Sequence, residues 1–375
     1  MISPNDQLST LLTEHIKAKD FPSAVYLVAK NGAVVFAGAL GDAVVEPYRI
    51  ANKFDTIYDL ASLTKPLVTG LLCSLRVELG ELTLDSAISH YLPEFDRTDK
   101  QMITIRELLT HSSGLPAWRP LYILADNEPD RAIGAIASLD LEYAPGSRVL
   151  YSDLGFITLG VLLERLTGKR LGEMAQHEIF TPLKLENTFF NPEMALQTGI
   201  AASESGNAYE RDMCEQTGAG VYQDSRQRII WGEVHDGNAY FLGGAAGHAG
   251  LFSTAQDTLV LAQQFIADFS TLLNPETCQL FRVNMTANLE EARSIGWQLA
   301  SSKDSTAGLS LPPDSFGHNG FTGTSLWIDA GHGRVFILLT NRTHARLLPF
   351  ANINGVRREF HTLALAALDQ TSDML

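Results

Sequence analysis

Apolar positions first recur at helical spacing, with Leu8, Leu11, Leu12, His15 and Ile16 on one face of residues 6–17, which predicts an amphipathic helix. The period then changes. The unbroken run Ala24-Val25-Tyr26-Leu27-Val28-Ala29 is followed by Asn31-Gly32 and Val34-Val35-Phe36, the pattern of a strand, a tight turn and a second strand. From residue 62 to about 224 strand signals nearly vanish, and helical spacing runs over 67–79, 105–109, 131–139, 154–166 and 171–180. Strands return at Ile295-Gly296-Trp297-Gln298-Leu299, Ser325-Leu326-Trp327-Ile328 and Val335-Phe336-Ile337-Leu338-Leu339, the last two joined across Gly331-His332-Gly333. A closing helix over 356–368 carries Phe360, Leu363, Leu365 and Leu368. Mixed ends around a helical middle predict an α+β fold: one antiparallel sheet built from both ends of the chain and flanked by terminal helices, beside an inserted helical lobe. The expected division of the single 375-residue catalytic unit is 1–60 with 288–375 for the α/β lobe and 61–287 for the mainly helical lobe. A cleft is expected between them.

The strongest candidate chemistry sits at the head of the first helical stretch, in Ala61-Ser62-Leu63-Thr64-Lys65-Pro66. Ser62 is the only serine with a lysine three residues on, and residues three apart on a helix share a face, so the amine can reach the hydroxyl. Pro66 has no N–H to donate to the carbonyl four residues back, that of Ser62, so Ser62 is expected at or just before the helix N-terminus. There the macrodipole favours an alkoxide-like oxygen and a neutral lysine, and burial between the lobes is expected to push the lysine pKa further down. A capping serine followed by a surface lysine has the same spacing.

Three segments together, Ser62-Leu63-Thr64-Lys65, Tyr151-Ser152-Asp153 and His318-Asn319-Gly320, resemble the Ser-x-x-Lys, Tyr-x-Asn and Lys-Thr-Gly elements of the serine β-lactamase and penicillin-binding superfamily. The resemblance is to its class C β-lactamases and D-alanyl-D-alanine peptidases. It extends over roughly residues 20–365, through Thr110-His111-Ser112-Ser113-Gly114, Pro145-Gly146, Gly247-His248-Ala249-Gly250 and Gly323-Thr324-Ser325-Leu326-Trp327, segments like those of the esterase and peptidase branches. It implies the β-lactamase/transpeptidase-like fold and an acyl-enzyme mechanism. Ser62 would attack the carbonyl, Lys65 take its proton, and the phenol of Tyr151 relay it to the leaving group and later help activate water. His318 would hold Tyr151 and a substrate carboxylate or carbonyl. The backbone N–H groups of Ser62 and Phe321 would form the oxyanion hole, and Gly320 would let substrate lie close to the strand edge.

Ordinary readings stand beside these: Tyr151 as a core aromatic, Ser152 or Asp153 as a helix cap, His318 as a polar edge-strand residue. Two departures from the superfamily pattern matter. Asp153 replaces the asparagine whose amide binds the acylamino group of substrate, and an ionised carboxylate cannot donate that bond. His318 replaces a lysine, so a fixed charge becomes a titratable one, with carboxylate-bearing substrates expected to be favoured where it is protonated. The implied activity is therefore a serine hydrolase of small esters or amides, first a carboxylesterase. D-alanyl-D-alanine carboxypeptidase, D-aminopeptidase or β-lactamase activity is the alternative, and a non-catalytic ligand-binding protein on the same fold is the reading from another class.

Bulk properties narrow the partners. With 28 Lys+Arg against 43 Asp+Glu the net charge is −15, which disfavours nucleic acid and anionic membrane surfaces. Cys73, Cys214 and Cys278 are widely spaced, as suits free thiols in a reducing compartment. The polar start lacks the pattern of a secretory signal, so a cytoplasmic location is expected. His177-Glu178 is followed by Thr181 where a zinc-protease motif needs its second histidine, and there is no Gly-x-Ser-x-Gly; no metal or cofactor is expected. Trp118, Tyr122, Trp231, Tyr240 and Phe241, in loops bearing Gly and Pro, are equally compatible with the wall of an acyl pocket and with inward-packed loop anchors.

Overall fold

The computed structural model describes residues 4–96, 98–220 and 226–372. The unit expected over 1–375 therefore includes residues 1–3, 97, 221–225 and 373–375, which lie outside that description. The strands are β1 (Ser23–Lys30), β2 (Ala33–Val44), β3 (Ile50–Ala51), β4 (Tyr58–Asp59), β5 (Phe252–Ser253), β6 (Gln298–Leu299), β7 (Phe316–Asn319), β8 (Ser325–Asp329) and β9 (Arg334–Thr340). Seven form one antiparallel sheet in the order β3-β2-β1-β9-β8-β7-β6, and β4 pairs with β5 separately. The two ends of the chain thus meet at β1 against β9, with Val28 opposite Phe336.

The central strands read as continuous apolar runs because both their faces are covered. Along β1, Val25, Leu27 and Ala29 join the core shared with the helical middle of the chain. The alternate residues Ala24, Tyr26 and Val28 pack under the terminal helices. β9 repeats this period of two, with Val335, Ile337 and Leu339 on the first face and Phe336 and Leu338 on the second. The N-terminal helix, Asp6–Lys17, is capped by the Asn5 side chain accepting from Leu8 N, and the closing helix spans Asn354–Ser372.

The Asn31-Gly32 turn has both residues in the left-handed region, φ 51° and 80°, as a two-residue hairpin of this twist needs. The segment expected as a strand over 295–299 is shorter, only β6, because the chain turns at Gly296 with φ 73°. In place of a helix starting at 67, the chain makes a 3₁₀ turn at Ala61–Leu63, a π-helical turn over Lys65–Gly70 and then the α-helix Leu71–Glu78. Pro66, which cannot give the four-back bond, lies inside that widened turn.

Candidate active site

Ser62 stands on a backbone held under strain. Ala61, the residue before it, has φ 48°, unfavourable for a side chain with a Cβ. Its N–H donates to Asp59 Oδ1 at 2.8 Å, while Asp59 Oδ2 accepts from His235 N at 2.8 Å. The Thr64 hydroxyl donates to Ala61 O at 2.6 Å. The β4–β5 pair draws residues 247–251 alongside: Leu60 N donates to Leu251 O at 2.8 Å and Thr69 Oγ1 to Gly247 O at 2.7 Å. That loop presents the His248 carbonyl to Lys65.

Lys65 has no exposed side-chain surface. Its Nζ donates to Ser62 Oγ at 3.0 Å and to His248 O at 3.2 Å. It also lies 2.6 Å from Asp153 Oδ1, a short but bent ion pair that lacks the alignment of a hydrogen bond. Burial pushes the ammonium down, but the Asp153 carboxylate and then Tyr151 outweigh it, and Lys65 stands above the ordinary lysine value. This corrects the expectation of a depressed lysine: the sequence shows the burial but not the counter-ion.

Tyr151 lies immediately before the helix Asp153–Thr167, whose N-cap Ser152 accepts from Gly155 N. Lys65 Nζ is 4.8 Å from the Tyr151 ring centroid. The phenol hydroxyl is buried and makes no well-formed hydrogen bond; burial raises its pKa, with Lys65 opposing. Two histidines flank it, with ring centroids at 4.6 Å for His111 and 5.7 Å for His318. His111 Nδ1 accepts from Ser152 N at 3.0 Å, so its hydrogen is on Nε2. His318 Nδ1 meets Asn319 O at 2.8 Å and must donate there, which leaves a lone pair on Nε2. Both Nε2 atoms are buried without a hydrogen-bond partner among the described residues. Burial, then the charges of Arg293 and Lys65, hold both rings well below the usual histidine value. His318 is thus a neutral acceptor, which corrects the expectation of a cation that protonates in the working range.

β6 pairs only with Phe316 and Gly317 of β7, leaving the His318–Asn319 end of that strand, and Gly320 and Phe321 after it, along the cleft. A Cβ on Gly320 would lie 2.0 Å from Thr324 Oγ1 and 2.5 Å from Leu60 O. The close approach that demands glycine is therefore made by the backbone leading to Ser62, where a substrate was expected. Phe321 meets the tilted ring of Tyr209 at a centroid distance of 4.7 Å and stacks with His235 at 5.4 Å, and Arg342 lies 4.8 Å over its ring.

These groups open on a cavity of about 1030 Å³ lined by Ser62, Tyr151, Asp153, His318, Gly320 and Phe321, so it holds every sequence-predicted site residue except Lys65, which is buried beneath Ser62. Of the five loop aromatics only Trp118 lines it. Tyr122 and Phe241 pack around Cys214, Trp231 meets Tyr48, and Tyr240 covers Arg226. Sequence reasoning gave no role to His111, Arg293, Arg342 or Arg357. His111 lies in a segment noted for its resemblance, while the arginines belong to no motif. Arg342 donates to Phe321 O and Ala351 O at 2.7 Å each. Arg357 donates to Gly320 O at 2.7 Å, Thr324 O at 2.9 Å and Asn354 Oδ1 at 2.9 Å. Burial pushes Arg357 down to about 9. Neither guanidinium is ion-paired with a carboxylate among the described residues, although both line the cavity.

A serine in contact with a buried lysine, at the edge of an open cavity, suits an acyl-transferring serine hydrolase. The beta-lactamase family profile matches residues 8–355, and the chain belongs to that family. It is 31% identical over 358 residues to the N-acetylmuramyl-L-alanine amidase of Bacillus subtilis (strain 168), covering 88% of this chain and 79% of that protein. It is 32% identical over 360 residues to the Escherichia coli (strain K12) protein named "Putative D-alanyl-D-alanine carboxypeptidase", covering 87% and 79%. Among solved structures, EstCE1, a hydrolase with promiscuous acyltransferase activity, superposes with a TM-score of 0.73 at 22% identity over 95% of this chain and 97% of that one. The protein is an enzyme, a serine hydrolase of the beta-lactamase family with the β-lactamase/transpeptidase-like fold. No described helix is long and apolar enough to cross a membrane.

Proposed function

We propose that the chain hydrolyses a small amide carrying a carboxylate, through an acyl-enzyme on Ser62. The observation that carries this reading is the pair of cavity guanidiniums, Arg342 and Arg357, ion-paired with no carboxylate among the described residues. A buried arginine without a counter-ion, as Arg357 is, is costly, and a substrate carboxylate would supply the missing partner beside Gly320 and Phe321, just past β7. In this scheme Ser62 attacks, its proton passes to the Lys65 side, the Ser62 and Phe321 N–H groups hold the oxyanion, and the neutral Tyr151 phenol protonates the departing amine. An amine leaves only if protonated, so a phenol kept neutral by burial suits it. The names of the amidase and carboxypeptidase relatives agree with an amide substrate.

A carboxylesterase is the second reading. It is favoured by Asp153, which is turned to Lys65 and offers no amide N–H to an acylamino group. Measuring kcat/KM for N-acetylmuramyl-L-alanine, D-alanyl-D-alanine peptides, p-nitrophenyl butyrate and a chromogenic cephalosporin tests the choice. The expected result is preference for a carboxylate-bearing amide and a loss of about 10-fold or more for it in R357A, the scale of one charge-assisted contact. A neutral ester as the better substrate, with R357A indifferent, selects the esterase.

A further inference from the structure

Lys65 is surrounded by acceptors. Its Nζ meets the Ser62 hydroxyl, the His248 carbonyl and the Asp153 carboxylate, with the Tyr151 phenol also acting on it, and only an ammonium has a hydrogen for each of the first three. An ammonium cannot take the proton of Ser62 until it has lost one of its own. Of these neighbours, a hydroxyl and a peptide carbonyl are not bases, the Tyr151 phenol is kept protonated by burial, and Asp153 is a base. Asp153 is the first residue of the helix Asp153–Thr167, its side chain is 19% exposed, and it reaches both Lys65 and the cavity. The asparagine that the superfamily pattern would place here could accept a hydrogen bond from an ammonium but could not take its proton.

We propose that Asp153 is the proton acceptor of the acylation step, reached through Lys65, and that the working base of this enzyme is the Lys65–Asp153 pair. This rests on Ser62 being the nucleophile. As the Ser62 Oγ–C bond forms, the Oγ–H bond breaks and its proton goes to Lys65 Nζ. A different Nζ–H proton goes to Asp153 Oδ1, and the carbonyl π pair moves to the oxyanion. Lys65 stays an ammonium throughout, Asp153 goes from carboxylate to carboxylic acid, and the negative charge moves to the tetrahedral oxygen. When that intermediate collapses, Tyr151 protonates the leaving group and the proton on Asp153 returns through Lys65 to the phenol. The 2.6 Å contact is bent, and rotation about the soft carboxylate torsion of Asp153 would align it for transfer.

The other groups whose charge reaches Lys65 are Tyr151, His111, His318 and Asp236. Arg293 faces both histidines, and Asp236 is paired with His248 at 2.8 Å. Both histidines are held well below their usual pKa and are poor proton acceptors, the Tyr151 phenol is kept protonated by burial, and Asp236 is engaged with His248, so none replaces Asp153.

The test compares wild type, D153N and D153E in the pH dependence of kcat/KM for one ester, alongside an NMR titration of the Lys65 ammonium and covalent labelling of Ser62. In D153N the lysine must lose its proton to solvent before it can act. Expected are a loss of about 100-fold near pH 6, within the range of a general acid–base group, partial recovery as pH rises, and an acid limb displaced upward by at least one pH unit. D153E should restore the wild-type limb. The Lys65 ammonium should titrate at lower pH in D153N than in wild type, a readout that needs no turnover. An unchanged limb with only KM altered, or an unchanged Lys65 titration, would overturn the proposal. Labelling that persists in S62A would instead sink the nucleophile assignment on which it rests.

Discussion

Around Tyr151 the neighbouring charges decide which side chains can carry a proton. His318 occupies the place where the superfamily resemblance puts a lysine, yet its Nδ1–H is committed to Asn319 O at 2.8 Å and its ring is held well below the usual histidine value by burial, Lys65 and Arg293. A histidine whose folded pKa is depressed stays neutral on both sides of its ordinary value near 6.5. No gain of charge at His318 should then appear as pH falls across the range around that ordinary value. H318Q, which keeps a neutral side chain able to accept, should lower kcat/KM by a factor that is constant across this range. A wild-type rate toward carboxylate substrates that climbs as pH falls through about 6.5, and loses that climb in H318Q, would restore the cationic role. Ser62 and Lys65 were legible because their contact is local, three residues along one turn. The partner of Lys65 was not, because Asp153 is 88 residues away in sequence and no periodicity reports a tertiary contact; without it, burial alone gave the wrong sign for the lysine. The same holds for Arg342 and Arg357, which approach Gly320 and Phe321 only after β7 and the closing helix have packed.

Elements were readable where packing and local pattern agree. β1 and β9 showed as unbroken apolar runs because the sheet is covered on both faces, and the Asn31-Gly32 turn states its own geometry. β3, β4 and β5, two residues each, are too short to show any period. They matter all the same, since β4 with β5 sets the loop bearing His248 beside Lys65. Gly320 was marked as a position of close approach, but its close neighbour is the protein itself. G320A should force the β7 end away from Leu60 O and Thr324 Oγ1, an overpacking cost of roughly 1–3 kcal/mol, and displace Phe321 N from the oxyanion position. The expected outcome is a lower Tm together with a fall in kcat larger than the rise in KM. Unaltered stability and kcat, with KM alone affected, would mean that substrate is what approaches there.

For the molecule as a whole, net charge and site charge carry opposite information. The total of −15 argues against nucleic acid and anionic surfaces, but charge is screened over about 10 Å at moderate salt, and under the proposed function it is the cavity guanidiniums, not the total, that would set the substrate preference. Composition cannot reveal that sign. The layered plan was legible in outline, since terminal helices, sheet and helical middle follow the order of patterns along the chain. The cavity between them was expected only as a cleft, because its lining comes from residues as distant as Trp118, Tyr209, His318 and Phe350. All these parts serve one claim, that the fold exists to bring Lys65, Tyr151 and the end of β7 around a single reactive hydroxyl. Intact-mass analysis after exposure to a fluorophosphonate, with peptide mapping of the adduct, tests it most directly. One adduct per chain, on Ser62 and absent from S62A, is the predicted result; an adduct that survives in S62A, or that maps to another residue, would contradict it.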